Sequence, residues 1–208
     1  KEALDATIKK ITENGGKATA FSCDISNNDD FKSIILNIVK EYGSIDILVN
    51  NAGITKDNLL MRMSDDQWDD VLNINLKGSF ICIRSVIKHM MKKKFGRIIN
   101  FVTFAIPFKL EGEAIYAASK GAVIAFVKSL ATWLPPQVRC VAIAPGLVEG
   151  SGMYDAMAEE VRQVHLDKSP LKKLIIAEDL AKLVLDLTKN HWAHANGACI
   201  RINGGAYV

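Results

Sequence analysis

The sequence predicts a doubly wound α/β fold built around a parallel sheet. Two patterns carry that expectation. Short continuous apolar runs at 45–49, 98–102 and 138–144 alternate with longer stretches of helical period, as expected when both faces of a parallel sheet are covered. Each run also ends in small or polar residues: Asn50-Asn51-Ala52-Gly53, then Thr103, then Pro145-Gly146. In open α/β sheets that carboxyl edge is where ligands bind.

The elements follow in order. Residues 1–14 read as a helix through Leu4, Ile8 and Ile11, stopped by Gly15-Gly16. Residues 18–25 read as a strand. Asn28 caps a helix whose apolar face is Phe31, Ile34, Ile35, Ile38 and Val39, ending near Gly43. After the strand at 45–49, Ser64 and Gln67 have capping-box spacing and open a long helix reaching about Lys92. The strand at 98–102 leads through a loop to the helix carrying Tyr116, which Pro135-Pro136 terminates. A strand at 138–144, a Gly- and Met-bearing lid at 150–170, a helix at 178–188 and a strand at 198–202 complete the chain. No repeat, linker or low-complexity stretch interrupts it, so 1–208 is expected to be a single domain.

Composition narrows the function. The chain has 208 residues, 49% apolar and 24% charged, which fits a soluble globular protein. A net charge of +3 is too small and too evenly spread to imply nucleic-acid binding. No apolar run reaches membrane-spanning length and no signal peptide is evident, so a cytoplasmic protein is expected. Cys23, Cys82, Cys140 and Cys199 lie far apart in apolar patterns, which fits free thiols better than disulfides or a zinc site. His191-Trp192-Ala193-His194 lacks acidic or cysteine neighbours, so it reads as surface loop and no metal is expected.

Tyr116-Ala117-Ala118-Ser119-Lys120 places a phenol and an ammonium four residues apart on one helix face. A lysine beside a tyrosine lowers the phenol pKa from about 10 and makes it a usable proton donor. An ordinary amphipathic helix can produce the same spacing, so the surrounding motifs decide its meaning. Thr103 stands ahead of it, where a hydroxyl can hydrogen-bond a developing oxyanion; the plain alternative is a strand-end threonine bonding its own backbone. Asn75 lies in the long helix and by itself is an ordinary helix-face asparagine.

The order of these motifs resembles the short-chain dehydrogenase/reductase family over essentially the whole chain, to the ending Asn203-Gly204-Gly205. Residues 54–63 (ITKDNLLMRM) are similar to its 3-oxoacyl-[acyl-carrier-protein] reductases. The resemblance implies a Rossmann-type fold and an NADP(H)-dependent reductase of a 3-oxoacyl thioester, with NAD(H) left open. It implies Tyr116 as proton donor and Lys120 as the residue that lowers its pKa and holds the nicotinamide ribose. Thr103 falls at the family's serine position, and Asn75 matches the asparagine that holds a proton-relay water. The implied cofactor contacts are Asp24 and Ile25 against the adenine, Asn51, Ala52 and Gly53, then Pro145, Gly146 and Val148, whose backbone faces the nicotinamide carboxamide. Lys94, within Lys92-Lys93-Lys94, is the implied landing point for an acyl carrier protein, and the two long helices imply a homotetramer or dimer.

The sequence departs from the family at Thr103, at Gly150 where a threonine is common, and at Ile175-Ile176 where close relatives have glycines. A second basic residue for the carrier is absent near Leu134-Pro135-Pro136-Gln137. The family carries two strands, a helix and a glycine-rich turn ahead of the position of Lys1, so an N-terminally incomplete version is expected, with 18–25 separated from 45–49. Two further readings stay open. One is a short-chain enzyme for another alcohol or ketone, suggested by Thr103 and the divergent stretches 104–115 and 150–176. The other is a catalytically impaired relic without the glycine-rich turn.

Overall fold

Four parallel strands lie side by side in sequence order: β1 (Ile47–Asn50), β2 (Gly96–Phe101), β3 (Val138–Pro145) and β4 (Cys199–Ile202). The computed structural model describes residues 2–103 and 112–206. The register pairs Asn50 with Asn100, Ile98 with Cys140 and Ala142 with Cys199. Because strand side chains alternate faces, the apolar runs split between two layers. Ile98, Val102, Val138, Cys140, Ala142 and Ala144 enter one core, with α2 (Asn28–Tyr42), α4 (Ser79–Lys93) and α5 (Ala114–Trp133). Ile99, Val141 and Ile143 enter the other, with α8 (Ala177–Leu187). Coverage of both faces is the doubly wound arrangement.

Local signals explain the helix ends. Asn27, one residue earlier than expected, caps α2 by accepting from the Asp29 and Asp30 amides, and Gly43 closes it at φ 81°. Ser64 and Gln67 form the reciprocal capping box of α3 (Asp65–Leu72). The expected single long helix is three pieces: α3, a π-helical segment Asn73–Gly78, and α4. Its interruption falls on Asn75, and such bulges recur at functional sites. The stretch at 150–170, expected as a lid, is largely helical, as α6 (Gly152–Asp155) and α7 (Glu159–Lys168).

The strand expected at 18–25 does not form. After α1 (Glu2–Glu13) the chain runs without a ladder partner as far as the turn at Ile25-Ser26. A strand needs a neighbour, and among the described residues none lies beside this segment or on the outer edge of β1. Ile47 and Val49 of β1 are accordingly exposed.

Contrary to the sequence expectation, α5 is long and apolar enough to span a bilayer by length and composition. Its inward face buries Val123, Val127 and Leu130 against the sheet core. It is therefore read as a core helix. All four cysteines are free thiols, and burial pushes Cys82 and Cys140 up to about 12, leaving them unreactive.

Candidate active site

The motifs singled out in the sequence converge at the carboxyl ends of β1 and β2 and on the first turns of α5. Lys120 is only 4% exposed, and its Nζ donates to the Phe101 carbonyl at 2.9 Å, at the end of β2. Gly53, beyond β1, lies against it. A Cβ at that position would come within 3.1 Å of Lys120 Nζ and 3.2 Å of Asn75 Oδ1. Glycine is what lets the loop backbone approach the ammonium.

Asn75 holds that loop in place. Its Oδ1 accepts from the Ile54 amide at 2.9 Å, while Nδ2 donates to the Ile54 carbonyl at 3.0 Å and to Ser119 Oγ at 3.0 Å. Ser119 in turn donates to the Tyr116 carbonyl at 2.8 Å. Loop, bulged helix and α5 are thus one hydrogen-bonded unit. Ser119 is fully buried, and only its position immediately before Lys120 marks it in the sequence.

The electrostatics differ from the sequence expectation. Lys120 Nζ lies 6.0 Å from the Tyr116 ring centroid. Tyr116 is pushed up to about 12, first by burial, then by Glu113 and Asp57, and Lys120 is not among the causes. Burial lowers Lys120 itself to about 8. Thr103 is buried two residues past β2, and residues 104–111 of the divergent stretch lie outside the described residues.

The other predicted positions divide into two groups. Asn50 Nδ2 donates to Asn100 Oδ1 at 2.9 Å, a bond across the sheet end, whereas Asn51 and Ala52 beyond it are exposed at the edge. Pro145 ends β3, and Gly146 donates to the Ile202 carbonyl at 2.7 Å. Val148 forms a parallel bridge with Ile175 through the flanking Leu147 carbonyl and Glu149 amide. That geometry turns Val148's own amide away from Ile175. Asp24 is tied to the Ser26 amide and hydroxyl, which hold its carboxyl below the usual range. Ile25 packs against Gly78, so both stand near the start of α4. His191 and Trp192 bond the carboxylate of Asp186, a structural use of the motif.

Comparisons with known proteins fit this arrangement. The family model for short chain dehydrogenases matches residues 1–162. The chain is 36% identical to the 3-oxoacyl-[acyl-carrier-protein] reductase FabG of Staphylococcus epidermidis, 37% to that of Staphylococcus aureus and 35% to that of Thermotoga maritima. Each match covers all of this chain and 85% of the relative. The chain belongs to the short-chain dehydrogenase family. It is an NAD(P)-dependent oxidoreductase.

The nicotinamide end of such a cofactor suits the site of this dehydrogenase. An ammonium carries three donors, and among the described residues one hydrogen bond holds Lys120, leaving N–H groups for ribose hydroxyls. The glycine approach at Gly53 and the exposed Asn51 and Ala52 provide room beside it.

Proposed function

We propose that this dehydrogenase reduces the ketone of a 3-oxoacyl thioester to the 3-hydroxyacyl thioester, using NADPH. The observation that carries the reading is full-chain identity of 35–37% to 3-oxoacyl-[acyl-carrier-protein] reductases, which act on that class of substrate by name. The burial of Lys120 between Phe101 and Gly53, one turn from Tyr116, supports it.

Bound, the reduced nicotinamide supplies a hydride. Tyr116 donates the proton to the substrate oxygen as it gains negative charge, and Thr103 hydrogen-bonds that oxygen. Lys120, held by the Phe101 carbonyl, binds the cofactor ribose. Asn51, Ala52 and Gly53 border the cofactor, as do Pro145, Gly146 and the Val148 amide, with Asp24 and Ile25 at the adenine end. Asn75 positions the 51–54 loop; since its amide is engaged by Ile54 and Ser119, a water relay there would use its main-chain carbonyl, which also accepts from Ser79.

An acyl carrier protein is the proposed donor of the thioester, received near Lys94, the exposed left-handed cap of α4. Neighbouring Lys93 is already paired with Asp46 and Ser44. A homotetramer or dimer is proposed through α4 and α5. Thr103 in place of serine favours a second reading, a ketone or alcohol other than a 3-oxoacyl thioester.

The test is reduction of acetoacetyl thioester followed by loss of NADPH. The expected rate for Tyr116→Phe is lower by about a hundred- to ten-thousand-fold, with the fold intact. Wild-type turnover in that variant would remove Tyr116 from the mechanism. No turnover by the parent on this substrate, with turnover on another ketone, would favour the second reading.

A further inference from the structure

Two carboxyl groups at the entry to α5, one turn ahead of Tyr116, are not used by the proposed reaction. Glu113 occupies the cap position of α5, one turn before Tyr116, yet its side chain makes no capping hydrogen bond. An acidic residue at a helix start is normally stabilised as an anion by the free amides there. Glu113 is instead partly buried without those donors.

The second carboxyl is brought in by the loop after β1. Gly112 adopts φ +87°, and its carbonyl accepts from the Asn58 amide at 3.0 Å. A Cβ on Gly112 would be 3.7 Å from Asp57 Cβ, so Asp57 is pressed against the entry to α5. The cation next to it in sequence, Lys56, is paired with Asp70 of α3. Lys120, on α5 itself, is bonded to Phe101. Among the described residues, the acids gathered at the start of α5 are therefore Asp57 and Glu113, one turn ahead of Tyr116.

We propose that Glu113, set against Asp57 at the entry to α5, is a positioning residue that gates proton donation by Tyr116, permitting it while protonated and opposing it once ionised. This rests on the reading of Tyr116 as the proton donor. In the reduction the Tyr116 O–H bond breaks and a new O–H bond forms on the substrate oxygen, while the nicotinamide's hydride, with its electron pair, bonds to the carbonyl carbon. Tyr116 is left as an anion. A carboxylate alongside raises the free energy of that anion and of the transition state leading to it. Burial, and then Asp57, push Glu113 up to about 7, so the gate lies in the working pH range. Asp57 is also raised by desolvation.

Glu113→Gln keeps the shape and removes the charge. Two readouts are compared among wild type, Glu113→Gln and Tyr116→Phe. One is kcat/KM for acetoacetyl thioester reduction against pH. The other needs no cofactor: the pH titration of tyrosinate absorbance, with the Tyr116→Phe signal subtracted. The expected wild-type kcat/KM falls as pH rises through about 7, that fall is absent in Glu113→Gln, and the Tyr116 tyrosinate midpoint is lower in Glu113→Gln. Identical profiles and identical midpoints would overturn the gate. If the wild type reduces no 3-oxoacyl thioester, the proposed function fails and the tyrosinate titration still decides the gate. Should Glu113→Gln not fold, Glu113→Ala gives the same charge removal.

Discussion

Lys120 shows how this site opposes the stability of its own fold. Its ammonium is buried on the Phe101 carbonyl, and desolvation lowers it from 10.5 to about 8, a penalty of roughly 3 kcal/mol. The native state binds fewer protons than the unfolded chain between those values. The penalty is therefore complete below about 8 and is relieved as pH rises towards 10.5. Lys120→Met removes the buried charge but leaves the Phe101 carbonyl without its donor, which costs about 1–3 kcal/mol. The expected outcome at neutral pH is a Tm no lower than that of the parent, with reductase activity lost. A clear fall in Tm would mean the ammonium stabilises the fold. At this scale the sequence was informative about identity: Tyr116, Lys120 and Gly53 were visible as motif residues. It was misleading about electrostatics. Spacing puts Lys120 on the face of Tyr116, but the ammonium bonds to Phe101, and the phenol is raised first by burial and then by Glu113 and Asp57.

At the scale of elements, the interrupted helix α3–α4 organises the site. Local chemistry was legible there: Ser64 and Gln67 announce the helix start three residues apart, and Gly43 and Pro135-Pro136 announce ends. The bulge at Asn73–Gly78 was not legible, because Asn75's partners are Ile54, 21 residues earlier, and Ser119, 44 residues later. Only folding brings them together. Asn75→Leu strips the Ile54 amide and carbonyl of their partners. About 2–4 kcal/mol of stability is expected to be lost, measured by urea unfolding. Since the same bonds hold Gly53 against Lys120, weaker nicotinamide cofactor binding is expected too. Full stability and unchanged binding in the variant would show the clamp to be dispensable.

For the whole molecule, the surface where the bulged α3–α4 helix meets α5 stands out. A groove of about 400 Å³ is lined by Leu72, Leu76, Phe80 and Phe126, with Asn73 and Lys77 at its polar positions. Phe80 is 40% exposed and Trp133 of α5 is 58% exposed. Apolar area of this kind along the bulged helix and α5 supports the proposed association of identical chains. The expected mass by light scattering is that of a dimer or tetramer, and Phe80→Glu is expected to shift it towards the monomer. A sharp monomer mass for the parent chain would contradict the proposal.

The sequence by itself determined the parallel α/β class, the positions of β1 to β4 and α5, and the residue types at the carboxyl edge. Those depend on hydrophobic period and turn chemistry, which act over a few residues. The tertiary structure decided that 18–25 makes no strand, that the long helix bulges at Asn75, and that Asp57 meets Glu113 at the entry to α5, one turn ahead of Tyr116. Each of those depends on which neighbour a segment meets: a strand needs a pairing edge, an amide needs a partner, and a carboxyl's charge depends on its burial and the charges beside it.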